Sequence, residues 1–262
     1  MRKLFRFLLG LAACGVLVFA GSQMAGYIRE SRESAGLNDR IADAAVIARQ
    51  TEAEENPAVW ETVDRTVTEP VYAESAPIAV DFEVLWETNR DVVGWLYCED
   101  TPINLPLVQG ENNDYYLHRM LDGNWNSAGT LFLDYRNAGD FSDGNTVIYG
   151  HNMKDKSMFA VLPNYQQQSF YDEHPVMWLL TPETYYKMEL VAGFVTSAAS
   201  RLYSFGLPEE EQFQLVEEYL GRSGFQPAVS VEPGDRFVTL STCSYEYDDA
   251  RYVVIGKLTA LD

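Results

Sequence analysis

The chain has 262 residues, 47% of them hydrophobic in type, and a formal net charge of −20. That length accommodates one domain with a sizeable core plus an appendage, and a field of that sign repels nucleic acid and gives no general attraction to anionic lipid. Its three cysteines, Cys14, Cys98 and Cys243, make no CxxC pair and no His/Cys group with zinc spacing, so neither a disulfide framework nor a bound metal or cofactor is expected.

Arg2, Lys3 and Arg6 flank the start of an apolar stretch that runs from about Leu4 to Ile28 and contains Cys14. Two readings compete. Ala20-Gly21-Ser22 offers a small-residue cleavage site for a signal peptide. The favoured alternative is an uncleaved signal anchor over 1–28, close to the roughly 17–25 apolar residues that span a bilayer. Basic residues on its N-terminal side keep that end inside and send the remainder outside. Residues 29–79, rich in Glu, Ala, Arg, Ser and Thr, read as an extracytoplasmic stalk. It is partly helical around Ile41, Ala44, Ala45, Ile47 and Ala48, and Pro57, Pro70 and Pro77 punctuate the rest.

From about Val80 the composition is globular, and 80–262 reads as one domain. Asp81 is placed to cap a short helix carrying Phe82, Leu85 and Trp86. Strand-like runs follow at 92–98, 105–108, 130–133, 146–149, 176–180, 185–195, 237–242 and 252–258. Such short runs, bounded by Gly, Asn, Asp and Pro, argue for a mainly β fold: an antiparallel sheet or barrel with inserted helices. Cys98, after the first run, reads as a buried thiol. One helix is expected over 113–121. Another is expected over 208–220, with Phe213, Leu215, Val216 and Leu220 facing the core and Glu209, Glu210 and Glu211 in the first turn, where the helix dipole favours them.

The chemistry concentrates near the C-terminus. Thr239-Leu240-Ser241-Thr242-Cys243 ends a β-rich run, seven residues follow over 244–250, and Arg251 opens the next run. Paired as a hairpin, these runs set Cys243 opposite Arg251. The side-chain period of two puts Phe237, Thr239, Ser241 and Cys243 on one face. A thiol becomes a strong nucleophile as the thiolate, which a nearby cation or base favours. Arginine can meet developing negative charge on oxygen without titrating, and cannot serve as the base. A histidine must carry the protons. His118 and His174 read as surface or packing residues. His151 follows the strand Thr146-Val147-Ile148-Tyr149 and Gly150, where a side chain can be held at a cleft; a capping or packing role is its alternative. A buried core residue is the alternative for Cys243.

Together, Tyr149-Gly150-His151-Asn152, Leu240-Ser241-Thr242-Cys243 and Arg251 resemble the signature of the sortases. Three further features resemble the class B branch: the helix ahead of the first strand, Val108-Gln109-Gly110 followed by Asn113-Asp114-Tyr115-Tyr116-Leu117, and the helix before the cysteine-bearing strand. The resemblance covers roughly 80–262. It implies a closed sortase β-barrel with short inserted helices behind an N-terminal transmembrane helix. It implies Cys243 as nucleophile, His151 as general acid/base and Arg251 as oxyanion stabiliser. In the acyl transfer expected of them, the Ser244 backbone N–H is a further oxyanion donor. Asn113, Leu117, Ser241 and Tyr203 match positions that line the signal groove.

The implied activity is cleavage of a C-terminal sorting signal of the Asn-Pro-x-Thr-x kind after its Thr. The acyl group then passes to an amine on the cell-wall peptide or a pilin. The implied setting is single-pass in the cell membrane, with the catalytic domain outside. The implied partners are signal-bearing surface proteins, the amine acceptor and the membrane, with no nucleic acid. A wall cysteine hydrolase using the same Cys and His, and a non-catalytic surface binding module, are the alternatives.

Overall fold

The computed structural model describes residues 2–48 and 75–261, and for 2–12 the backbone alone. The proline-bearing part of the expected stalk, over 49–74, lies outside the described residues. A single helix, α1, runs from Arg2 to Ala45. Among the described residues, no helix is long and apolar enough to cross a membrane.

The second half of α1, expected within a stalk, lies against the domain. Ser34, Ile41 and Ala45 are buried, and Tyr27 packs on the barrel core. Tyr27, Glu30, Ser31, Ser34, Ile41 and Ala45 recur at helical spacing, so they form one stripe. Strand β1 (Val46–Ala48) then pairs antiparallel with β2 (Ile78–Val80). Ile41, Ala45, Ala76 and Ile78 share a core with Trp95 and Val108, so the packed body begins well before residue 80.

Helix α2 (Phe82–Thr88) starts where the capping residue predicts. The Asp81 carboxylate accepts from the N–H groups of Glu83 at 3.1 Å and Val84 at 3.3 Å. The eight expected strand runs become β3 (Val92–Tyr97), β4 (Asn104–Val108), β5 (Leu131–Leu133), β6 (Asn145–Tyr149), β7 (Val176–Leu180), β8 (Tyr185–Ser197), β9 (Arg236–Cys243) and β10 (Ala250–Ala260). They close into a barrel in the order β10-β8-β7-β3-β4-β5-β6-β9. The barrel is not wholly antiparallel: β4 pairs β5 and β6 pairs β9 in parallel. Parallel neighbours need long crossovers. The segment 109–130 supplies one, and everything from α3 (Gln168–Glu173) to α4 (Glu209–Leu220) lies within the other.

Alternation along the strands sorts the core. Leu96, Leu107, Ile148, Leu240 and Val254 fill the barrel. Phe237, Val253 and Ile255 point outward beneath Leu215, Val216 and Tyr219 of α4. Helix α4 follows Pro208 and carries Glu209, Glu210 and Glu211 in its first turn; Phe213 and Leu220 are only partly buried.

The helix expected over 113–121 does not form; a 3-10 turn at Tyr116–His118 stands in its place. Local side-chain acceptors compete with the helical ladder. The Asn112 side chain accepts from the N–H groups of Asp114 and Tyr115, both at 2.9 Å. Arg119 then turns into an antiparallel bridge with Trp125.

Candidate active site

Cys243 ends β9 and Arg251 is its register partner on β10, as the hairpin reading requires. On the other side of β9, the parallel register with β6 reaches Tyr149 opposite Ser241. It continues past the strand end: the Gly150 N–H donates to the Ser241 carbonyl at 3.1 Å, and the Thr242 hydroxyl donates to the Gly150 carbonyl at 2.7 Å. The Asn152 amide then donates to the Cys243 carbonyl at 2.9 Å. His151 lies between these ties, so the backbone carries it level with Cys243. At the level of the backbone, the segment that follows β6, the end of β9 and the start of β10 thus bring His151, Cys243 and Arg251 into one row. Cys243 is exposed, while His151 and Arg251 are half-buried.

Gly150 is dictated by space. A β-carbon there would lie 2.4 Å from Leu131 Cδ2 and 2.6 Å from Phe159 Cδ2. Gly150→Ala should therefore push the strand end, with His151 attached, away from β5. The expected cost is about 1–3 kcal/mol of overpacking, read as a lower thermal midpoint together with reduced turnover. An unchanged midpoint would contradict this close packing.

His151 Nε2 lies 2.8 Å from the Leu117 carbonyl oxygen. A carbonyl only accepts, so Nε2 holds the proton and Nδ1 is the free nitrogen of the neutral ring. His118, next along the chain from Leu117, stacks on His151 with ring centroids 5.7 Å apart and planes 20° apart. Burial lowers the His151 pKa; the Leu117 bond works in the opposite sense, and repulsion from His118 adds to the lowering. The ring is thus biased toward the neutral form, able to accept a proton.

Arg251 Nη1 donates to the Ala250 carbonyl at 3.0 Å. That bond anchors one arm of the fork, and the guanidinium has further N–H groups to offer. The Ser244 N–H, expected as an oxyanion donor, is engaged by the Ala250 carbonyl at 3.0 Å instead. It closes the hairpin, as strand-end geometry favours.

The expected groove residues have unequal roles. Tyr203 and Ser241 share a hydroxyl–hydroxyl bond of 2.8 Å. Burial pushes the Tyr203 phenol up to about 12, against the Ser241 bond and the Arg251 charge, which act to lower it. Ser241 is buried, one pleat from Cys243, and Tyr203 stacks on Tyr149 at 6.3 Å. Leu117 supplies the carbonyl that holds His151. Asn113, by contrast, has both ends of its amide in use: Nδ2 donates to Asp134 at 2.8 Å and Oδ1 accepts from the Tyr135 N–H at 3.1 Å. It braces the wall rather than presenting a free amide.

Asp134, which the sequence does not mark, is the hub of that wall. Burial alone would raise its pKa, but bonds from Arg136, Asn113 and Tyr149 hold it below the usual carboxylate range. The Tyr149 hydroxyl donates to it at 3.0 Å and Arg136 Nη2 at 2.7 Å. Tyr149, Thr242 and Asn152 all fall within the motif strings, yet their roles depend on partners distant in sequence.

The remaining candidates fall away from the row. His174 caps the end of α3, its ring 4.6 Å from Phe170. Cys98 is 1% exposed, and burial pushes its thiol up.

With this geometry in place, residues 96–259 match the Sortase domain family. The chain is 40% identical over 177 residues to Sortase B of Listeria monocytogenes serovar 1/2a (EGD-e), covering 66% of this chain and 72% of that protein. It is 31% identical over 180 residues to Sortase B of Staphylococcus aureus (NCTC 8325), covering 68% and 74%. Among solved structures, a Staphylococcus aureus sortase B–substrate complex aligns with a TM-score of 0.65 at 30% identity, over 69% of this chain and 85% of that one. Clostridium perfringens sortase B aligns with a TM-score of 0.64 at 28% identity, over 68% and 100%.

Proposed function

The chain belongs to the sortase family of cysteine transpeptidases, and from that premise we propose that it cleaves a C-terminal sorting signal of the Asn-Pro-x-Thr-x kind with Cys243, His151 and Arg251. The observation that carries this reading is the register pair of Cys243 and Arg251 on β9 and β10, beside the end of β6 that leads through Gly150 to His151 and on to the Asn152 tie to the Cys243 carbonyl.

In the first step the Cys243 thiol yields its proton to His151, and its sulfur attacks the Thr carbonyl carbon. Negative charge builds on the carbonyl oxygen, where the free N–H groups of Arg251 stabilise it. The C–N bond breaks, and the departing amine takes the proton from His151. A thioacyl-enzyme remains. In the second step an acceptor amine attacks the thioester and gives a proton to His151. The C–S bond breaks, and the leaving sulfur takes that proton from His151, which restores the thiol and the neutral ring.

Tyr203, Ser241 and Leu117 form the floor and flank against which the signal lies. The acceptor is an amine of the cell-wall peptide or of a pilin. A relative, also a sortase B, has been solved in complex with triglycine, and a terminal amine is the group the second step consumes. The segment 1–28 anchors the chain in the cell membrane, with the catalytic domain outside.

The test is mass spectrometry of the full chain with a sorting-signal peptide, with and without an added amine. The expected results are a thioacyl adduct on Cys243 and an amide product that appears only with the amine. A free acid formed at the same rate in both cases would make the protein a hydrolase. An unmodified Cys243 would favour a binding module.

A further inference from the structure

One turn of α1 ties together the two loops that carry the stacked histidines. Four contacts come from Tyr27, Glu30 and Ser31. The Asp155 N–H donates to the Tyr27 hydroxyl at 3.1 Å, and the Ser31 hydroxyl donates to the Asp155 carboxylate. The Asn126 amide donates to the Glu30 carbonyl at 2.9 Å, and the Ser127 hydroxyl donates to the Glu30 carboxylate at 2.6 Å.

Asp155 belongs to the loop that begins at His151. That loop is closed by an Asn152–Met158 bridge and by the Phe159 N–H, which donates to the His151 carbonyl at 3.0 Å. Asn126 and Ser127 belong to the loop that begins at His118, where the Asn126 N–H donates to the His118 carbonyl at 3.0 Å. The contacts are built rather than incidental. Asn126 is fully buried, and its other amide end accepts from the Ala128 N–H at 2.9 Å. Burial alone would raise the Asp155 pKa, but bonds from Ser157 and Ser31 outweigh it and hold the carboxylate ionised. Lys156 and Met158 have φ of 68° and 54°, a conformation that side-chain-bearing residues hold only when their surroundings enforce it.

We propose that the Tyr27–Ser31 turn of α1 is a positioning element for His151, fixing its loop and the His118 loop against each other. The proposal rests on the reading of His151 as the acid/base. The turn touches no reacting atom. It acts by holding the imidazole against the Leu117 carbonyl and beneath His118, level with Cys243. The titratable group that faces His151 is His118, from the 116–118 turn; by backbone register Cys243 ends the adjacent β9, with Arg251 beyond it on β10. Release of the turn alters the distance to the first of these.

The experiment compares the full chain with Tyr27→Phe/Glu30→Gln/Ser31→Ala on a sorting-signal peptide across pH. The expected result is kcat lower by about tenfold, the cost of a small misplacement of a catalytic group. KM should be little changed and the acid limb of the pH profile displaced. Tyr27→Phe alone keeps the ring packed and removes one acceptor, so it keeps the test valid if the triple variant fails to fold. It should move kcat and the acid limb in the same direction, and Ser31→Thr should restore parental values where Ser31→Ala does not. Parental kcat and pH profile in the variants overturn the proposal, even if their thermal midpoints fall. His151→Gln is the control. Full activity there removes the acid/base reading and this one with it, whereas an inactive control beside unaltered variants removes this one alone.

Discussion

Replacing Cys243 with alanine will abolish the acyl adduct and turnover together while leaving the fold intact. The thiol is exposed at the end of β9, so its truncation leaves no cavity, and the stability change should stay within about 0.5 kcal/mol. No other cysteine can take over. Cys98 is 1% exposed with its thiol pushed up by burial, and Cys14 is on α1, apart from the row. Cys14→Ser should therefore behave as the parent does. The measurement pairs intact-mass analysis of the adduct with product release, and an adduct on the alanine variant would end the assignment of Cys243 as nucleophile.

His151→Gln should lower kcat/KM by about 10²- to 10⁴-fold, the usual contribution of a general acid/base. Glutamine can still donate to the Leu117 carbonyl, so the loss reports on proton transfer more than on packing. The same substitution has a signature in stability. The folded-state pKa of His151 lies below its unfolded value, about 6.5 for a free histidine. As pH falls below that value, the unfolded state binds the proton first, and the folded parent loses stability until its own depressed pKa is passed. Glutamine does not titrate. The thermal midpoint of the variant should therefore gain on the parent between neutral and acidic pH, and a constant gap would contradict the half-buried, neutral imidazole.

Local signals were legible and distant ones were not. The strand run over 176–180 coincides with β7, Asp81 caps α2, and α4 begins beside Pro208. Each depends on alternation or capping within a few residues. The Cys243–Arg251 pairing was readable for the same reason, since a hairpin is local. The docking of α1 was hidden because much of its contact stripe is polar. Glu30 bonds to Asn126, 96 residues away, and Ser31 to Asp155, 124 residues away. Hydrophobic periodicity is blind to such contacts. The 113–121 segment has a helical pattern, but the Asn112 side chain takes the N–H groups of Asp114 and Tyr115, and Asn113 is drawn to Asp134 and Tyr135 of the folded wall. Ser244 lay in the right place by sequence, and its N–H was claimed by the ladder.

The parallel seam between β6 and β9 has a consequence for when the protein becomes reactive. Cys243 and Arg251 meet across a short loop, so that half of the site can form as soon as the C-terminal hairpin does. Asn152 and Cys243 are 91 residues apart, and His151 joins the row only when the β6–β9 seam closes. Pairing over such a sequence separation is slow, because loop-closure entropy is lost before the contact rewards it. A partly folded chain thus holds its thiol without a proton acceptor beside it. Order of assembly then acts as a safety catch: the nucleophile is armed by the same event that closes the seam.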